Sequence, residues 1–104
     1  MEKITFSIII PTFNRSTYLI NIIKKLVRSQ YNLEIIVCDS YSKDQTKEKL
    51  EVISLLNKHQ NIKYINIHKN NNSRKRNVGI KNAKGKYIIL LPDFLNPEKY
   101  FLKK

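Results

Sequence analysis

Glycine is nearly missing from this chain: Gly79 and Gly85 are the only two in 104 residues. Neither lies in the turn after the first apolar run. That excludes the glycine-rich loops of a dinucleotide fingerprint or a P-loop, which need a bare backbone to approach phosphate. Any nucleotide would have to be held by side chains. Cysteine occurs once, so no internal disulfide forms, and Cys38, ending an apolar run, reads as a small buried hydrophobe. No run approaches the roughly 18 apolar residues of a membrane span, and no apolar leader with a small-residue cleavage site opens the chain. The expected location is cytoplasmic, at most peripheral at the inner face of a membrane. His59 and His68 have no acid or cysteine at ligand spacing and read as surface residues.

Acids are scarce too. Eight Asp and Glu stand against twenty Lys and Arg, a formal charge of +12. Such a balance points to a polyanionic partner: nucleic acid, anionic lipid or a phosphate-bearing ligand. Lys outnumbers Arg sixteen to four, whereas readers of nucleic acid lean on the Arg fork, so nucleic acid is the less favoured of the three. Heavy use of Lys, Ile and Asn is also what A/T-rich codons produce. The length fits one domain, residues 1–104, with one modest core.

What is present is a regular alternation. Apolar residues 5–10 predict a strand stopped at Pro11. Leu19, Ile22, Ile23, Leu26 and Val27 recur at helical spacing and predict a helix over 16–29. Leu33 to Cys38 reads as a second strand. Ser42 followed by Gln45 fits a capping box opening a second helix to about 58, with Leu50, Ile53 and Leu56 inward. Ile62 to Ile67 is a mixed-polarity third strand suited to an edge. A short helix follows over 73–83, and Tyr87 to Leu91, apolar on both faces, predicts a central fourth strand. Four strands alternating with three helices predict an α/β fold with a parallel sheet and right-handed crossovers.

In such sheets ligands bind beyond the carboxyl ends of the strands, and three loops there carry useful groups. After the first strand, Phe13 offers a face for a base, and Arg15, a cation at a helix N-terminus, would be favoured by a nearby anion. On the loop alone the favoured reading is that Phe13 packs under it while Asn14 caps the helix. After the second strand, Asp39 could accept hydrogen bonds from a ribose or base edge, or serve only its own turn. After the fourth, Pro92-Asp93-Phe94 offers one carboxylate, for a ribose hydroxyl or a metal. The third helix carries Arg74, Lys75, Arg76, Asn77 and Gly79, a basic face that could neutralise a diphosphate or simply be solvated.

Taken together, Ser7-Ile8-Ile9-Ile10-Pro11-Thr12-Phe13-Asn14-Arg15, the stretch Glu34 to Thr46, and Arg76-Asn77-Val78-Gly79-Ile80 through Ala83, Gly85, Tyr87 and Ile88 resemble the N-terminal half of the family 2 glycosyltransferases. The resemblance implies a Rossmann-like GT-A half-domain with strand order 3-2-1-4 and helices on both faces. It implies a nucleotide-sugar donor, commonly a uridine diphosphate sugar, held by Pro11, Thr12, Phe13, Arg15, Asp39, Arg76 and Asp93. The acceptor would be an unknown glycan or lipid-linked hydroxyl, in the manner of polysaccharide biosynthesis. Family members hold Mg²⁺ or Mn²⁺ on the diphosphate with an Asp-x-Asp motif. Here that motif aligns with Pro92-Asp93-Phe94, which leaves Asp93 the one candidate ligand. Ser40 replaces the second acid after strand two, and Tyr41 stands where Gly is usual.

The resemblance ends with the fourth strand. The acceptor half and the base that takes the acceptor's proton have no counterpart in these 104 residues, so no catalytic residue is assigned. The chain is expected to be a truncated or degenerate copy of weak or absent activity, with an exposed sheet edge inviting self-association or a partner. The competing reading is a non-catalytic basic module that meets nucleic acid, anionic membrane or protein through Lys69, Arg74, Lys75, Arg76, Lys81, Lys84 and Lys86.

Overall fold

A computed structural model describes residues 3–57 and 61–94. The chain runs β1 (Phe6–Pro11), α1 (Ser16–Leu26), β2 (Leu33–Asp39), α2 (Thr46–Leu56), β3 (Asn61–Asn66), α3 (Asn72–Asn82) and β4 (Tyr87–Leu90). The strands form one parallel sheet in the order β3-β2-β1-β4. Each predicted element exists, within a few residues of its expected ends. His59 and the expected end of the second helix lie outside the described residues, and His68 is exposed.

Alternation along the strands divides the core in two. Ile8 and Ile10 of β1, with Leu33, Ile35 and Val37 of β2, face α1 and α2 and pack on Leu19, Ile23, Leu26, Leu50 and Ile53. The intervening Ile9, Ile36 and Cys38 face the other way, toward Val78 of α3. The handedness rule explains this. Progress from β1 through β2 to β3 runs in one direction, and the step to β4 returns past β2 and β1, so a crossover of the same hand puts α3 on the opposite face. The direction reverses between β1 and β4, and loops leaving those two strands splay apart to form a crevice.

Gly79 lets α3 sit directly on the sheet. A Cβ there would lie 2.5 Å from Ile9 Cγ2 and 3.3 Å from Cys38 Sγ. Gly85 is less forgiving, since its Cβ would meet the backbone of Phe6 and Ser7. At the amino ends of the strands, buried Glu34 accepts from the Ser7 hydroxyl, the Lys84 amide and, at 3.0 Å, Lys63 Nζ.

Two expectations need correction. β4 is not central: it pairs with β1 alone among the described residues, and Tyr87, Ile88 and Leu90 remain about half exposed. The capping box does not form either. α2 starts after Gln45 in a left-handed conformation without a side-chain cap, and the Ser42 hydroxyl is drawn to Asp39.

Candidate functional site

The crevice between the β1 and β4 loops is a cleft of about 780 Å³. Pro11, Thr12, Phe13 and Arg15 line it from the end of β1, and Asn70, Asn72 and Arg76 from the start of α3. Leu90, Leu91, Pro92, Asp93 and Phe94 close it from β4. Six of the seven residues singled out from the sequence, Pro11, Thr12, Phe13, Arg15, Arg76 and Asp93, therefore meet here.

Asp39 does not line the cleft, and its carboxylate is fully engaged. Oδ1 accepts from the Ser40 amide at 2.8 Å and from the Ser42 hydroxyl; Oδ2 accepts from the Ser42 amide at 3.1 Å and the Tyr64 hydroxyl at 2.6 Å. A carboxylate offers about four acceptor sites, and four donors fill them. The turn-forming reading of Asp39 is thus the one its geometry supports. Burial and the bond to Asp39 push the Tyr64 hydroxyl pKa well above its usual value, so it remains a donor.

Asn14 does not cap α1, whose N-terminus has no side-chain cap from Arg15 and instead gives the Ser16 amide to Asp44 Oδ2 at 2.7 Å. Asn14 stitches two loops together: its amide donates to Ser42 Oγ at 2.7 Å and its Oδ1 accepts from the Lys43 amide at 2.8 Å. This bracing holds Phe13 partly exposed at the cleft rather than packed beneath the loop.

Lys75 is the largest surprise. It is wholly buried, not part of a solvated basic face. Its Nζ donates to the Thr12 carbonyl at 2.7 Å and Asn70 Oδ1 at 2.6 Å, and lies 5.7 Å from the centre of the Phe13 ring. Burial pushes its pKa down, while Asp39, Cys38 and Asp93 act to hold its charge. A signal existed in the sequence: Lys75 and Gly79 are four apart and share a helix face, and the glycine marks the face that meets the sheet. Asn70 and Asn72 carried no comparable signal.

Asp93, also buried, accepts from Thr12 Oγ1 at 2.9 Å. Burial raises its pKa, against the opposing pull of Thr12, Arg15 and Lys75. It is the one acid lining the cleft among the described residues. Among the described residues, no three His, Cys, Asp or Glu side chains come together to hold a metal. A hard divalent cation takes six or so oxygen ligands, commonly with more than one carboxylate nearby. One hydrogen-bonded carboxylate among guanidinium and ammonium groups does not fit it. By contrast Arg15 and Arg76 are free for an anion, because the only ion pair among the described residues is Lys63 with Glu34.

Comparison with known proteins agrees with this fold. The family model for glycosyl transferase family 2 matches residues 7–98. A Methanococcus voltae dolichyl N-acetyl-alpha-D-glucosaminyl phosphate 3-beta-D-2,3-diacetamido-2,3-dideoxy-beta-D-glucuronosyltransferase is 39% identical over 104 residues, covering 93% of this chain and 31% of that protein. A Campylobacter jejuni GalNAc(5)-diNAcBac-PP-undecaprenol beta-1,3-glucosyltransferase is 36% identical over 91 residues, 84% of this chain and 28% of that protein. Among solved structures, S. aureus TarS 1-349 in complex with UDP superposes with a TM-score of 0.74 at 26% identity, covering 88% of this chain and 28% of that one. The mannosyltransferase PcManGT from Pyrobaculum calidifontis, in complex with GDP-Man and Mn²⁺, shares the fold at a TM-score of 0.80 and 16% identity, covering 90% and 28%. The chain thus spans less than a third of the length of these relatives.

Proposed function

Because the chain belongs to glycosyl transferase family 2, we propose that its cleft holds the nucleoside diphosphate of a nucleotide-sugar donor, with uridine as the base. The observation that carries this reading is the convergence of Phe13, Arg15 and Arg76 on one cleft at the sheet's switch point, inside the matched stretch. Phe13 presents a ring face on which a base can stack, and the two guanidinium groups suit phosphate oxygens as bidentate donors. The UDP complex of TarS supports uridine.

In the proposed reaction an acceptor hydroxyl oxygen bonds to the sugar's anomeric carbon as the bond from that carbon to the diphosphate breaks. The nucleoside diphosphate leaves with the electron pair, and the hydroxyl proton passes to a base. Such a base is worth on the order of 10²–10⁴-fold in rate. We assign it and the acceptor site to the part of the relatives' length that this chain does not span, so the 104 residues alone bind donor and transfer little. The names of the relatives support a lipid-linked acceptor. With a charge of +12, the proposed setting is the cytoplasmic side of an anionic membrane surface.

The alternative of a basic docking module is less well supported. Lys75 is buried, and Lys84 and Lys86 lie at the amino ends of the strands, away from Arg76 at the cleft. Calorimetric titration with UDP, ADP and GDP separates the readings. Preference for UDP supports the donor site; equal, strongly salt-dependent binding of all three supports the basic module.

A further inference from the structure

We propose that this cleft neutralises a diphosphate with its own fixed cations, Arg15, Arg76 and the buried Lys75, and takes it up without a divalent metal ion. The inference rests on the donor reading above and adds how that site meets the diphosphate's charge.

Three observations carry it. First, the cation set is built in. Arg15 and Arg76 line the cleft without a carboxylate in contact. Lys75 stands directly behind its wall, fixed by bonds to Thr12 and Asn70 and lying near the Phe13 ring, three residues that themselves face the cleft. A charge inside protein is screened far less than one in water, so an ammonium held there favours an anion in the adjoining space. Second, the ligands that a metal needs are missing: Asp93 is the sole acid at the cleft among the described residues, and Thr12 already donates to it. Third, Lys75 adds a cation beyond Arg15 and Arg76, which belong to the stretches that resemble the family, and a divalent cation at Asp93 would meet its repulsion as well. The same guanidinium groups stabilise a diphosphate by charge-assisted hydrogen bonds. Lys75 is thus the fixed charge that this chain adds beside the two arginines of the matching stretches.

The test is calorimetric titration of the full 104-residue chain with UDP, once in EDTA and once in excess Mn²⁺, together with pyrophosphate and uridine as partial ligands. The expected result is UDP affinity in EDTA within about twofold of that in Mn²⁺. Arg76→Gln should weaken UDP and pyrophosphate by about tenfold or more in both conditions. Lys75→Met, which keeps the length of the side chain, should weaken the same two ligands. Uridine, which carries no phosphate, should bind both variants as it binds the native chain; a merely distorted site would lose uridine as well. If Lys75→Met fails to fold, the Arg76 variant and the EDTA comparison still decide. UDP binding that needs Mn²⁺ would overturn this inference and leave the donor site standing. Absence of UDP binding in every condition would overturn both.

Discussion

Thr12 Oγ1 donates to Asp93 Oδ2 at 2.9 Å, joining the end of β1 to the loop after β4 across 81 positions of sequence. The bond closes the floor of the cleft, and it leaves Asp93 as a structural acceptor beside cationic neighbours. Asp93→Asn keeps an acceptor for Thr12 and removes the one acid that lines the cleft among the described residues. The variant should fold with stability close to the native chain. Its affinity for UDP should hold or rise by a few-fold, since a like charge is lost from the diphosphate's surroundings. A metal ligand would behave oppositely, and calorimetry of the variant distinguishes the two.

Gly79 and Gly85 should respond to alanine to different degrees. At Gly79 the new methyl meets Ile9 Cγ2 at 2.5 Å, a side chain that can shift. Overpacking costs roughly 1–3 kcal/mol, and the gain in helix propensity returns about 1 kcal/mol, so Gly79→Ala should lose at most about 2 kcal/mol in urea unfolding. At Gly85 the methyl meets Ser7 N at 2.7 Å and Phe6 C at 2.9 Å, main-chain atoms at the start of the β1 ladder. That substitution should cost more, and it should break the bond from the Gly85 amide to Ser7 Oγ.

Tyr41 occupies the left-handed region at φ 53° although its side chain has a Cβ to crowd. A bulky residue there is strained, by roughly 1–2 kcal/mol. The ring is mostly exposed, so little packing offsets that cost. Tyr41→Gly should therefore raise the unfolding free energy by about 1 kcal/mol, the relief of strain exceeding the added freedom of the unfolded chain. Thermal or urea unfolding checks the sign.

Acid should loosen the opposite end of the sheet through Glu34. Burial works against its ionised form, but the bonds from the Lys84 amide, the Ser7 hydroxyl and Lys63 outweigh that and hold its pKa below the ordinary 4.5. A carboxyl depressed in the folded state gives stability that is fully present above its unfolded pKa. It is lost as pH falls from 4.5 through the folded value. Unfolding free energies measured across that range should decline with acid, and Glu34→Gln, although less stable at neutral pH, should show a flatter decline.

The sequence disclosed the sheet because its strands and helices follow different periods, and because the β3-to-β4 return has only one favoured hand. It disclosed most of the cleft for the same reason: residues that end β1 and β4 must meet at the reversal. It misled where local chemistry had two partners to choose from. Ser42 looked like a cap for α2, yet its hydroxyl oxygen accepts from the Asn14 amide and its proton goes to Asp39. What the sequence did not show at Asp39 is that Tyr64, on the neighbouring strand, is one of its four donors, a pairing visible only once β2 and β3 are in register. Lys75 looked like one more surface lysine in a basic chain. Its burial follows from the close seating of α3 that Gly79 permits, a relation between faces rather than between neighbours.

The central claim, that the crevice between the β1 and β4 loops is where a nucleoside diphosphate binds, is tested most directly by NMR of the isotope-labelled chain titrated with UDP. The account predicts saturable shifts of backbone amides concentrated at Phe13, Arg15, Arg76 and Asp93, with Glu34, Lys84 and Lys86 unmoved. Shifts concentrated instead at Lys81, Lys84 and Lys86, away from the cleft, would contradict it.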